Sequence, residues 1–162
     1  MNPIRIAPLV LLFAFELAAC SHDASSTATA TARATSAGAA TDATATSNGI
    51  TLRANVVETA DLQASVARGY GIAREPNQAM LLLTVRDANG DNANPVSLQA
   101  TVTGLKGGER PLPLREIRVD GFVDRIGLVP VAAPDTLTFE VRAQLAPGST
   151  STVRLSRDFY PR

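Results

Sequence analysis

Val96-Ser97-Leu98-Gln99-Ala100-Thr101-Val102-Thr103 alternates apolar and polar side chains without a break. A period of two puts Val96, Leu98, Ala100 and Val102 on one face of a β-strand and their polar neighbours on the other. The pattern recurs on both sides. Upstream, Leu52, Ala54 and Val56 alternate with Arg53 and Asn55. Downstream, Leu137, Phe139, Val141 and Ala143 share one parity, and so do Val153, Leu155 and Phe159, with Arg157 as the odd member of that row. Met80 to Leu83 is a continuous apolar run closed by Val85, the signature of a central strand covered on both faces.

Turn chemistry divides these runs. Asp120-Gly121 stands between Val119 and Phe122, a two-residue hairpin signal that needs positive φ. Ala146-Pro147-Gly148-Ser149 separates the last two strands, and Asp87 to Pro95 is a polar loop. Between Leu114 and Ile117 the alternation slips by one residue, which predicts a β-bulge in the fourth strand.

One segment departs from period two. Leu62, Val66 and Tyr70 are four apart, on one helical face. Thr59 or Asp61 can cap the start, and Gly69 and Gly71 can end it, so a short helix is expected from about Asp61 to Tyr70. The fold expectation is mainly β: an immunoglobulin-like β-sandwich of about seven strands, with one short helix between strands one and two. Alternation gives no order of strands within the sheets.

The domain so defined runs from Gly49 to Arg162 and is preceded by two other segments. Residues 1–19 have the form of a signal peptide. Arg5 supplies the charge, and Ile6 to Ala19 is an apolar stretch, interrupted by Glu16, that is too short to span a bilayer. It ends in Leu17-Ala18-Ala19-Cys20, the form of a bacterial lipobox with Cys20 as the lipidated residue. The alternative is a chance cysteine after an ordinary signal peptide cleaved at Ala19. Acyl chains on Cys20 would anchor the chain to a membrane, at ~0.8 kcal/mol per buried methylene. Ser21 rather than Asp follows the cysteine, and by resemblance to sorted lipoproteins this favours the outer membrane, facing the periplasm. Cys20 is the sole cysteine, so no disulfide can form within the chain. Residues 20–48 hold the lipidated cysteine and an Ala/Thr/Ser stretch with no Val, Leu, Ile or aromatic residue. That composition predicts a disordered tether with a reach of about 30 Å. The rival reading is a segment that folds on a partner.

The inventory excludes several chemistries. Lys+Arg and Asp+Glu are both 15, so no basic field exists to hold a nucleic acid. His22, the one histidine, lies in the tether, which leaves the domain without histidine or cysteine. Ser-His-Asp and Cys-His nucleophile systems, and zinc sites built on those ligands, are excluded. No cofactor is expected. The 87–95 loop has oxygens that could hold calcium, but it fails the EF-hand pattern and reads as a solvated loop. Glu109, Glu116, Asp120 and Asp124 could supply paired carboxylates for glycoside hydrolysis, although a domain poor in aromatics suits that chemistry badly.

Arg115, Glu116 and Arg118 face Asp124 and Arg125 across the Asp120-Gly121 hairpin. Cross-strand ion pairs account for them, and a partner surface is the sharper reading. Tyr160 beside Pro161 is a further candidate contact, because either it or Phe159 must point outward. Tyr70 is expected to pack on the core with its hydroxyl at the rim.

Several stretches in this order resemble one bacterial envelope family, domain-of-unknown-function family 4426. They are Ala67 to Ile72 (ARGYGI), Met80 to Asp87 (MLLLTVRD), Leu112 to Arg118 (LPLREIR) and Val153 to Arg162 (VRLSRDFYPR). The resemblance covers about Ile50 to Arg162. The sequence departs from the family pattern at Leu105-Lys106-Gly107-Gly108, where an Asn-Leu-Leu-Gly-Gln-like turn is usual. It departs again at Val123-Asp124-Arg125-Ile126, where members tend to have paired tyrosines. A binding surface built on those tyrosines would be missing here. The resemblance implies an envelope location and no activity. The functional expectation is a non-enzymatic envelope lipoprotein that binds an envelope protein. The alternative is a periplasmic small-ligand or metal-binding protein.

Overall fold

The computed structural model describes residues 41–161. Nine strands occur among them: β1 (Asp42–Ser47), β2 (Ile50–Glu58), β3 (Gln78–Arg86), β4 (Ser97–Thr103), β5 (Arg110–Leu112), β6 (Arg115–Val119), β7 (Phe122–Pro130), β8 (Asp135–Ala146) and β9 (Ser149–Phe159). A 3-10 turn (Thr59–Asp61) and helix α1 (Ala64–Tyr70) join β2 to β3. The strands form two antiparallel sheets, ordered β1-β2-β3-β7-β6 and β5-β4-β8-β9. With β1 set aside, the first sheet has the A-B-E-D order of an immunoglobulin sandwich. In the second, β4-β8-β9 has the C-F-G order, with β5 added beside C. The expected fold class is thus observed, with two strands more than expected.

Both additional strands have a physical origin. β1 lies inside the stretch read as tether. Its small side chains let Ala43 and Ala45 pack on the core while Asp42 to Ser47 pair with Asn55 to Ile50 of β2. Main-chain pairing stabilises this strand without a large apolar residue, so the sheet reaches upstream of Gly49. The other addition comes from the slip between Leu114 and Ile117. It is not a bulge. The chain changes sheets at Pro113-Leu114, so Leu112 of β5 faces the sandwich core while Ile117 of β6 faces the other side of the five-stranded sheet. The register of β6 on β7 is regular, and the one register shift lies between Gln144 and Ala146.

The inward parities read from sequence form the main core. Leu52, Val56, Leu81, Phe139 and Val141 are fully buried. Each such side chain contributes ~1.5–3 kcal/mol relative to exposure. Arg157 shares the inward parity of β9, and its guanidinium donates to the Val56 carbonyl at 2.9 Å. Val96 is 61% exposed, because β4 starts one residue later.

β3 is covered on both faces, as expected. Ala79, Leu81, Leu83 and Val85 point into the main core, while Met80 joins Ile117 and Ile126 in a second cluster beneath Leu62, Tyr70 and Ile72. The helix over that cluster differs from expectation at its start. Gln63 is the N-cap and makes no side-chain cap bond. Leu62 precedes the helix, so its four-residue spacing to Val66 is not a helical one. Val66 is exposed and Ala67 is the buried residue. The C-terminus ends as expected at Gly71, with φ +61°. Gly71 N–H bonds to Arg68 O, and Ile72 N–H to Ala67 O, the Schellman pattern.

Candidate interaction surface

The outer face of the five-stranded sheet carries most of the chemistry near α1. Arg86 at the end of β3 is its organiser. Its guanidinium donates to Asp124 Oδ1, to Val123 O and to its own neighbour's carbonyl, Val85 O, and lies 5.0 Å from the Phe122 ring centroid. The Arg86–Asp124 pair is mostly buried, with side chains 19% and 12% exposed. Tyr70 faces this pair from the helix end. Burial raises its pKa, the Asp124 carboxylate adds to the rise, and Arg86 opposes both. Arg115 donates to Tyr70 O at 2.8 Å and thereby ties β6 to the end of α1.

The sheet switch leaves a groove beside this cluster. Pro113, Leu114, Arg115, Ile126 and Leu128 line about 270 Å³. Its floor is apolar, and Arg115 stands at its rim. β6 covers β7 only as far as Ile126, so Leu128 is left at an open part of the sheet.

The structure divides the residues expected to form a partner surface. Arg115 and Asp124 lie on the α1 side of the sheet. Glu116, Arg118 and Arg125 lie on the opposite side, where Glu116 pairs with Arg118 at 2.6 Å and with Arg125 at 3.4 Å. Tyr160 is 71% exposed but sits at the other end of the sandwich, near Glu58, Asn77 and Val131. A single continuous surface of all six is therefore not formed. Leu17, Ala18, Ala19 and Cys20 lie outside the described residues. Among the described residues no helix is long and apolar enough to cross a membrane.

The 87–95 loop uses its oxygens on itself. Asp87 Oδ1 accepts from the N–H groups of Asn89 and Asp91 at 2.8 and 3.0 Å. Asn92 accepts from Val123 N–H and donates to Gly121 O, both at 2.8 Å, so the loop is stitched to the β6–β7 hairpin. Among the described residues no group of three or more His, Cys, Asp or Glu side chains is placed to hold a metal ion. The groove was not foreseen from sequence. The signal for it was the slip at Leu114, read as a bulge.

A family model described as a domain of unknown function, DUF4426, matches residues 45–162. The chain belongs to this family. The match starts within β1 and includes every other strand. A solved DUF4426 protein from Pseudomonas aeruginosa PAO1 is 18% identical, with a TM-score of 0.60, and the alignment covers 75% of this chain and 97% of that one. It shares the fold. A copper-bound variant of FetP from uropathogenic Escherichia coli strain F11 is 11% identical at a TM-score of 0.46, covering 72% of this chain and 93% of that chain. No curated protein matches the sequence. The two departures from the DUF4426 pattern now have places. Leu105 to Gly108 form the exposed β4–β5 loop, and Val123 to Ile126 lie in β7 with alternate residues on opposite faces of the sheet.

Proposed function

We propose that this DUF4426 member is a lipoprotein of the bacterial envelope that acts by binding another envelope protein rather than by catalysis. Cys20 carries the lipid, and the Ala/Thr/Ser-rich stretch before Asp42 is the spacer between membrane and sandwich. The lipobox supports the anchor. The groove at the sheet switch supports the binding role, because an apolar floor with one cation at its rim suits an apolar side chain of a partner flanked by an acidic one. Two of the four carboxylates with catalytic potential have structural duties: Asp124 holds Arg86, and Glu116 holds Arg118 and Arg125. The outer membrane is the proposed location, following Ser21.

Site-directed photocrosslinking in cells tests this reading. A photoreactive side chain at Leu128 of the full-length chain should capture one envelope protein, whereas the same group at Tyr160 should not. Cys20→Ser should move the chain from the membrane to the soluble fraction and weaken the crosslink. Absence of any adduct at Leu128 overturns the binding role. Retention of Cys20→Ser in the membrane fraction overturns the anchor.

A further inference from the structure

The two sheets have four edges, and three of them are guarded. β1 packs beside β9, with Ser47 Oγ and Ser149 Oγ 2.7 Å apart and Arg157 of β9 bonded to Val56 O of the neighbouring β2. β5 is three residues long and contains Pro111, which has no N–H to offer. β6 is different. Just past the ends of the two strands, in the same register, Val131 N–H bonds to Asn77 O, and Val123 O accepts from Arg86, also on the β3 side. The odd residues of β7 therefore direct their main-chain groups to β3 and the even ones to β6. Asp124 and Ile126 pair with Ile117 and Arg115, so Glu116 and Arg118 point their N–H and C=O groups away from the sheet. No strand among the described residues pairs with that side of β6.

The side chains on this edge are self-complementary. An antiparallel copy placed by a two-fold axis at Ile117 brings Glu116 opposite Arg118 of the second molecule, and Arg118 opposite its Glu116. Both are the outward-pointing positions, so each pair also exchanges two main-chain hydrogen bonds. Sheet edges are commonly blunted by charged side chains, Lys above all. This one alternates sign in the order that a two-fold axis satisfies. Glu116 and Arg118 side chains are 37% and 75% exposed, and Arg125 stands behind Glu116. In the pair, an Arg125–Glu116–Arg118 row would run across the junction on each side.

We propose that β6 is a homophilic edge: two copies of this chain join through Arg115–Val119 in antiparallel register about Ile117, extending the five-stranded sheet across the pair. A contact built on five residues a side is small, so the dimer is a weak one. The proposal stands whether or not Cys20 is lipidated.

Charge reversal tests it. The weight-average mass of the full-length chain in sedimentation equilibrium should rise with concentration toward twice the monomer. Arg118→Glu sets Glu116 against a second carboxylate in both pairs and should weaken association roughly tenfold or more. Glu116→Arg should do the same with two cations. An equimolar mixture of the two variants restores opposite charges in both pairs and should recover the dimer. The amides of Glu116 and Arg118 should gain hydrogen-exchange protection as the wild type associates. A wild type that stays monomeric across the concentration range overturns the proposal. So does undiminished self-association of folded Arg118→Glu, which would place the contact on another surface. Protection of the two amides with no rise in mass would put a segment of the same chain on the edge, and also overturns it.

Discussion

Leu112 of β5 rests on Gly127 of β7, so closely that a Cβ on Gly127 would lie 2.7 Å from the leucine Cγ. This contact joins the two sheets where the chain is about to cross from one to the other. A side chain at residue 127 would push Leu112, 4% exposed and held in the core, out of its seat.

Gly127→Ala should therefore destabilise the domain by ~1–3 kcal/mol, the usual cost of overpacking. Urea denaturation of the full-length chain measures it. Leu112→Ala alone should cost ~2–5 kcal/mol through the cavity it leaves. The double variant should be more stable than the sum of the two losses, because the shortened side chain makes room for the new methyl group. Strict additivity would mean that Leu112 is not what confines Gly127.

Among the described residues Thr59 is the one buried polar residue, fully enclosed at the end of β2. Its hydroxyl donates to Glu75 O at 2.9 Å and accepts from Glu75 N–H at 3.1 Å. Thr59→Val keeps the shape and deletes both bonds, at an expected cost of ~1–3 kcal/mol. Thr59→Ser retains the hydroxyl and should recover most of that loss. Little loss in Thr59→Val beside a larger loss in Thr59→Ser, read in thermal melts, would show that the methyl group, not the hydroxyl, matters.

These two positions also show what the alternation could and could not convey. Inward rows such as Leu137, Phe139, Val141 and Ala143 were legible because burial on one face of a strand leaves a period of two. The Asp120-Gly121 turn was legible because positive φ at both residues restricts which types fit there. β1 was not legible: pairing through the main chain leaves no mark on side-chain type. The crossover at Pro113-Leu114 left a mark that had two readings, since a bulge and a change of sheet both shift the parity by one. The groove was lost with it. The ion pairs were legible as charges near one hairpin, but alternation assigns neighbours to opposite faces, so Glu116 and Asp124 could not share a surface. Arg86, which holds Asp124, is distant in sequence and was invisible.

Asn92 ties the 87–95 loop to the β6–β7 hairpin through both ends of its amide. Asn92→Ala should cost about 1–2 kcal/mol and release the Val123 amide to faster hydrogen exchange. Asn92→Asp keeps an acceptor for Val123 N–H while losing the donor to Gly121 O, so protection of Val123 should persist in that variant. Loss of protection in both would mean that the loop is held elsewhere.

Tyr70 makes the stability of the fold depend on alkaline pH. Its phenol ionises above the ordinary value of about 10, first because it is partly buried and second because the Asp124 carboxylate opposes a phenolate nearby. The unfolded chain loses this proton at about 10, whereas the folded chain still holds it. From there up to the folded-state pKa the native state binds more protons than the unfolded one, so stability falls as pH rises through that window. Below it the contribution is fully present. The chain has two tyrosines and no tryptophan, so a Tyr160→Phe background reports Tyr70 alone through tyrosinate absorbance. In that background the midpoint should lie above the ordinary tyrosine value. Asp124→Asn should lower it, because the second cause is gone while Arg86 continues to favour the phenolate. Tyr70→Phe should flatten the alkaline part of the stability profile. A midpoint at or below the ordinary value would mean that the phenol faces water, and that Arg86 and Asp124 act on each other alone.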